Sequence, residues 1–230
     1  MREIVLDTET TGFDPLTGDR LAEIGCIELD NHIPTGRNFH RYVNPEREMP
    51  DAAVRIHGLS TAFLADKPKF ADVAEEFLTF IGDDPLVIHN AEFDMKFINF
   101  ELEKAGKRAI PFQRAIDTVK IARTKFPGSP ASLDALCKRF NIDNSNRTLH
   151  GALLDAQLLA DVYLELLGGR QTGLVLAAEE TTLTVNLDFA KRASTGSRAV
   201  REPRSFAPTE EELAAHESFI GKLKNAIWLQ

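Results

Sequence analysis

Apolar residues recur along this chain in two rhythms, and each change of rhythm marks a new element. Ile4-Val5-Leu6 is an unbroken apolar run, two of its three residues β-branched, and predicts a buried strand close to the N-terminus. After the turn Asp14-Pro15-Leu16-Thr17-Gly18-Asp19, the mixed stretch Leu21 to Leu29 predicts a second strand. Phe39 to Val43 predicts a third, closed by Asn44-Pro45. Short turns between strands imply an antiparallel meander. The spacing then lengthens to three and four. Ser60 caps a short helix through Ala65, and Phe70, Val73, Ala74, Phe77, Leu78 and Ile81 predict a helix that Gly82 stops. A strand over Pro85 to Ile88 is followed by a helix carrying Phe93, Phe97 and Phe100 at i, i+4 and i+7, running to Gly106. Ala115 to Asp117 reads as a short strand, and Thr118 to Phe126 and Ser132 to Phe140 as helices around a Pro-Gly-Ser-Pro break. After an asparagine-rich loop over 141–148, a strong apolar helix continues from Gly151 through Leu158, Leu159, Val162, Tyr163 and Leu166 to Gly168-Gly169. Strands followed by a strand with helices around it predict a mixed α/β sheet with helices on its faces.

Beyond residue 168 the pattern changes character. Thr182 to Phe189 alternates polar and apolar positions, as a strand or a docking strip would, and Ala190 to Pro208 has the Ser, Arg, Gly and Pro content of a linker. Thr209-x-x-Glu212 forms a capping-box pattern ahead of an apolar face made by Leu213, His216, Phe219, Ile220, Leu223 and Ile227, ending in Trp228. A helix of that length is marginal alone and has no core of its own to join, which suits docking on a partner. The expected organisation is a domain over 1–168, a linker over 169–208 and a partner-binding helix over 209–230.

Composition narrows the function classes. At 230 residues and 43% hydrophobic, the chain can build one substantial core plus an appendage. Cys26 and Cys137 form no Cys-x-x-Cys pair, so neither a disulfide framework nor a zinc site is expected. No apolar run approaches membrane-spanning length and no apolar signal region precedes the first strand, so a cytoplasmic protein is expected, without membrane partners. Of 27 Lys and Arg, residues 1–168 hold 19, against 27 of the 35 Asp and Glu, while the remainder is balanced. The acidic excess argues against a broad grip on nucleic acid, though divalent cations can supply positive charge locally.

The candidate chemistry lies in the acids. Asp7 and Glu9, two apart at the end of the first strand, point to one face. Asp94 falls in the first turn of its helix, and Asp155 sits inside an apolar stretch where an acid needs a partner. Four carboxylates suit hard cations, Mg²⁺ or Mn²⁺, and two such ions can clamp the attacking and leaving oxygens of a phosphodiester. His150, five residues before Asp155, can take a proton from an attacking water.

Asp7-Thr8-Glu9-Thr10-Thr11-Gly12, His89-Asn90-Ala91-Glu92-Phe93-Asp94 and His150-x4-Asp155 resemble, in order, the three motifs of the DEDD exonuclease superfamily in its histidine subtype. The resemblance spans residues 3–167 and implies a ribonuclease H-like fold. It implies that Asp7 bridges two metals, Glu9 and Asp155 complete the nucleophile-side site, Asp94 serves the other, and His150 is the general base. It also implies that Thr10, Thr11, Phe13, His57, Asn90 and Phe93 line a pocket for the terminal nucleotide. His57 on the residues alone reads as a loop histidine, and relatives often carry methionine at Phe13. The segment Gln171 to Leu176, with Gln171, Leu174 and Leu176 as anchors, is similar to the peptides that dock on the replicative sliding clamp. Thr209-Glu210-Glu211-Glu212-Leu213-Ala214-Ala215-His216-Glu217 with a late tryptophan looks like the tail of the bacterial DNA polymerase III proofreading subunits, implying docking on the alpha polymerase subunit through Leu213, Phe219, Ile220, Leu223 and Trp228. The expected activity is 3′→5′ hydrolysis at a single-stranded or frayed DNA 3′ end. RNA or oligonucleotide trimming, and a non-catalytic docking adaptor, are the alternatives.

Overall fold

The computed structural model describes residues 1–145, 147, 149–169 and 208–222. The chain divides into two compact units, Met1–Val175 and Leu176–Gln230. The first is built on a five-stranded sheet: β1 (Arg2–Thr10), β2 (Leu21–Asp30), β3 (Ile33–Tyr42), β4 (Leu86–Ile88) and β5 (Ala115–Asp117), in the spatial order β3-β2-β1-β4-β5. The short connections make β1–β2 and β2–β3 antiparallel. The helical crossovers make β1–β4 and β4–β5 parallel. Around the sheet lie α1 (Asp51–His57), α2 (Thr61–Leu64), α3 (Phe70–Ile81), α4 (Ala91–Lys104), α5 (Thr118–Lys125), α6 (Leu133–Phe140) and α7 (Ala152–Leu166).

β1 is the middle strand and is buried on both faces, which its unbroken apolar run requires. Ile4 and Leu6 enter a core with Phe70 and Phe77 of α3 and Phe97 of α4. Val5 points the other way, into a core with Leu159 and Val162 of α7. This alternation sends the odd-numbered residues of β1 toward α7, so Asp7 and Glu9 share the face of Val5. Glu3 is on that face too. It is fully buried, accepts a hydrogen bond from the Tyr163 hydroxyl of α7 at 2.8 Å and meets His32 Nδ1 at 2.6 Å.

Gly25 of β2, opposite Asp7 in the register, lets the start of α7 lie close to the sheet. A Cβ at Gly25 would stand 2.3 Å from the carbonyl carbon of Ala152, inside any tolerable contact. The missing side chain is what admits the helix that carries Asp155.

The mixed sheet and its flanking helices match the sequence-based expectation, with two differences. β3 begins at Ile33, well before the predicted Phe39, because residues 33–38 are exposed and join β2 through backbone bonds, leaving no apolar alternation to read. His57 is the last residue of α1 rather than a loop residue. That helix buries only Ala53 and His57, too few positions to show a period, and it ends at Gly58, whose φ of +76° favours glycine.

In the second unit the described element is α8 (Glu210–Ile220), capped as predicted by the reciprocal Thr209–Glu212 box. It buries no residue, and Leu213 and Phe219 are exposed. The expected anchors Gln171, Leu174, Leu176, Leu223 and Trp228, and the alternating stretch 182–189, lie outside the described residues.

Candidate active site

The acids gather at the carboxyl end of β1, where it runs beside the parallel strand β4, the edge at which open α/β sheets bind their ligands. A cleft of about 270 Å³ there is lined by Asp7, Glu9, Asp94, Arg147, His150 and Asp155, among others. Asp94 reaches it from the first turn of α4, which opens at Asn90 in a left-handed conformation (φ +68°). Thr8, on the opposite face of β1 from Asp7, donates its hydroxyl to Asp94 Oδ1 at 2.7 Å and fixes that carboxylate. Asp155 arrives in the first turn of α7. Ligand atoms of Glu9, His150 and Asp155 all lie within 4.8 Å of one another.

Burial and mutual repulsion make these acids reluctant to ionise. Asp7 is pushed well above the usual carboxylate range by burial, then by Asp94, Glu9 and Asp155. Glu9 is raised to about 8 by burial and by Glu23, its partner across β2. Asp94 is raised to about 7 by burial, against the opposing hydrogen bond from Thr8. Such a cluster calls for cations.

One cation is already in place. Arg147 grips Asp155 with both arms of its guanidinium, Nε to Oδ1 at 2.5 Å and Nη2 to Oδ2 at 2.6 Å. Its Nη1 donates to Asp134 at 2.6 Å, and Nη2 lies 2.8 Å from His150 Nδ1, which accepts from it.

A second cleft, of about 370 Å³, opens beside the first and shares Thr8, Glu9 and Phe93 with it. Thr10, Thr11, Phe13 and His57 line it. The threonine hydroxyls are engaged within the loop, Thr10 donating to the Gly12 carbonyl at 2.6 Å and Thr11 to Asp19 at 3.2 Å. Asp19 also accepts from the backbone N–H of Phe13 and Asp14, which holds the loop closed and leaves the Phe13 ring 84% exposed. His57 is buried, with Nδ1 accepting from Leu59 N–H at 3.1 Å. That bond puts the ring proton of the neutral form on Nε2, and burial holds the pKa below its ordinary value. Nε2 has no hydrogen-bond partner among the described residues. Asn90 does not line this cleft; it lines a third one on the far side of the acids.

Known proteins resemble this chain in sequence and in fold. The family described as Exonuclease matches residues 4–163. DNA polymerase III subunit epsilon of Rickettsia felis is 50% identical over 226 residues, covering 97% of each chain. The protein of the same name from Escherichia coli K12 is 46% identical over 228 residues, 94% of this chain and 91% of its own. The chain belongs to the exonuclease family, with the DNA polymerase III epsilon subunits. Solved exonucleases share the fold. Exonuclease X, in complex with 5′ overhanging duplex DNA, is 27% identical, with a TM-score of 0.58 over 72% of this chain and 90% of its own. Exonuclease I, at 20% identity, reaches a TM-score of 0.63 over 72% of this chain and 40% of its own.

Exonucleases of this kind are metal-dependent 3′→5′ enzymes, and the residues of this exonuclease fit a divalent cation. The donors are carboxylate oxygens, the chemistry of hard ions. The acids are buried and crowded enough to need positive charge, and the guanidinium on Asp155 shows that a cation sits well against that carboxylate. Sequence reasoning passed over Arg147, Asp134, His89 and Glu23, all of which line or electrostatically tune the site. Arg147 had one legible signal: it is the single cation in the loop from Asn141 to His150.

Proposed function

We propose that this exonuclease removes nucleotides one at a time from the 3′ end of single-stranded or frayed DNA, as the proofreading subunit of a bacterial replicative polymerase in the cytoplasm. The observation that carries the reading is the convergence of Asp7, Glu9, Asp94 and Asp155 on one cleft beside a pocket lined by Thr10, Thr11, Phe13 and His57. Phe13 would stack or pack on the base. Asp7, Glu9, Asp94 and Asp155 would hold two divalent ions, Mg²⁺ or Mn²⁺, Asp7 serving both, Glu9 and Asp155 the nucleophile side and Asp94 the other. When bound, such ions polarise the phosphodiester and offset the charge that develops on it. His150, half exposed at the cleft mouth, takes the proton from the attacking water as the new P–O bond forms and the bond to the 3′ oxygen breaks. A mispaired end frays more readily, so selectivity follows from the cost of unpairing.

Two features support the polymerase as partner. The similarity to epsilon subunits covers almost the whole chain, tail included, and α8 exposes Leu213 and Phe219. In this reading 1–168 is the catalytic domain, 169–208 a linker whose residues 171–176 engage a sliding clamp, and 209–230 the helix that docks on the alpha subunit.

The test is hydrolysis of 5′-labelled single-stranded DNA with Mg²⁺, alongside copurification of the full chain with the polymerase subunit. Asp7→Ala should abolish cutting and leave copurification intact, whereas Leu213→Glu with Phe219→Glu should do the reverse. Continued degradation by the first variant would refute the site assignment. A clear preference for RNA over DNA would favour an RNA-trimming role instead.

A further inference from the structure

The three clefts lie in a row, each neighbouring pair sharing lining residues. The nucleotide pocket meets the acid cleft at Thr8, Glu9 and Phe93, and the acid cleft meets the third cleft at His89 and Ser132. A terminal nucleotide beside His57 places its 5′ phosphate, the scissile one, at the acids. The rest of the strand must leave on the side away from the pocket, where the third cleft lies. That cleft, at about 430 Å³, is of similar size to the nucleotide pocket at about 370 Å³, so it has room for another nucleotide.

Its lining suits a sugar–phosphate backbone. Among the described residues that line the three clefts, the Lys and Arg residues are Arg147, Lys120 and Arg123. Arg147 is committed to Asp155 and Asp134. Lys120 and Arg123 both belong to the third cleft, three apart on α5 and therefore on one face of it. The Lys120 ammonium sits 5.5 Å from the centre of the Phe112 ring and 4.0 Å from Asp117 Oδ2, and its side chain stays 71% exposed, so it is held loosely at the rim and within reach of a ligand. Asn90 adds an exposed amide. Two acids line the cleft as well. Asp117 is turned inward to cap α5 through the Val119 N–H at 2.9 Å, and Glu92 is exposed. In a chain of net charge −8, two exposed cations along the way out from the acids are a specific arrangement.

We propose that Lys120 and Arg123, with Asn90, form an upstream subsite that binds the phosphates on the 5′ side of the scissile bond. The inference rests on the terminal nucleotide occupying the His57 pocket. Lys120 and Arg123 hold the strand in line with the acids and leave the chemistry to them, so their effect depends on substrate length.

The experiment compares two substrates. The p-nitrophenyl ester of thymidine 5′-monophosphate fills the terminal pocket and the acid cleft only, and a single-stranded oligonucleotide fills all three clefts. In the full-length K120E/R123E variant, KM for the oligonucleotide should rise about tenfold, and its dependence on log salt should flatten by roughly 1.4, about 0.7 for each phosphate no longer neutralised. Turnover of the ester should stay at the wild-type level. K120Q/R123Q should change KM in the same direction by less. The control K125E/K138E carries the same charge change at exposed lysines outside the three clefts and should behave as wild type. An unchanged oligonucleotide KM and salt slope, an equal loss with the control pair, or a parallel loss on the ester would each overturn the subsite. Failure of the wild-type enzyme to turn over the ester while degrading the oligonucleotide would instead count against the terminal-pocket reading.

Discussion

Arg147 and the carboxylates compete for the same space, and the outcome sets how the site loads. A guanidinium bound through both arms to Asp155 stands where a divalent ion must also find its ligand. Replacing Arg147 by Gln removes the competitor and a nearby positive charge together, both of which favour an incoming cation. The Mn²⁺ dissociation constant, measured by calorimetry, should therefore fall by about tenfold, equivalent to ~1.4 kcal/mol. The same variant in chelator should lose about 3 kcal/mol of stability, because Asp155 is left buried without its partner. His57 makes a different case, a buried imidazole in the wall of the nucleotide pocket. His57→Ala should raise KM for single-stranded DNA by roughly tenfold with a smaller effect on kcat, the value of one buried hydrogen bond to a charged group. At this scale the acids were legible because Asp7 and Glu9 fall two apart at the end of an apolar strand and Asp155 interrupts an apolar stretch, where a charge needs a reason. Arg147, Asp134 and Glu23 were not, since a charged residue in a loop, a helix turn or a strand reads as a solvated one until its neighbours are known.

Among the elements, α7 decides the site. Its first turn brings Asp155 to β1, and it can do so only because β2 offers Gly25 rather than a side chain. Gly25→Ala would force the helix start away from the sheet, costing about 1–3 kcal/mol by overpacking. A thermal melt should show the loss, and exonuclease turnover should fall well beyond what the reduced stability explains, because Asp155 moves with the helix. Strongly periodic elements were readable with nearly their true limits: α3 runs from Phe70 to Ile81 between its first apolar position and Gly82, and α6 follows its Ser132 cap. The weakly periodic ones were not. α1 buries two residues and the first half of β3 buries none, so neither leaves a rhythm in the sequence. Gly25 was equally silent, because a glycine in a strand does not say which helix lies over it.

For the whole molecule, the clustered acids tie stability to pH and to ions. The folded state holds protons on Asp7, Asp94 and Glu9 that the unfolded chain would release near its ordinary carboxylate values. Since the native form binds more protons, unfolding free energy must decline as pH rises from the ordinary carboxylate range to about 7 for Asp94 and about 8 for Glu9. Melting temperature in chelator should drop between pH 6 and pH 9, and saturating Mg²⁺ should abolish that slope by binding the ionised carboxylates. A melting temperature in chelator that stayed level across this range would contradict the crowding of the acids. The fold class needed only the order of strands and helices, but the charge economy of the site needed the three-dimensional neighbours.

The bond from Tyr163 to Glu3 joins residues 160 positions apart and closes the far helix onto the middle strand of the sheet. During synthesis the strand that bears Asp7 and Glu9 leaves the ribosome well before α7, and its α7-facing side stays bare until the helix with Asp155 and Tyr163 has emerged. A nascent chain therefore has no assembled hydrolytic centre, and the nuclease becomes capable of cutting a strand only when its domain is essentially complete.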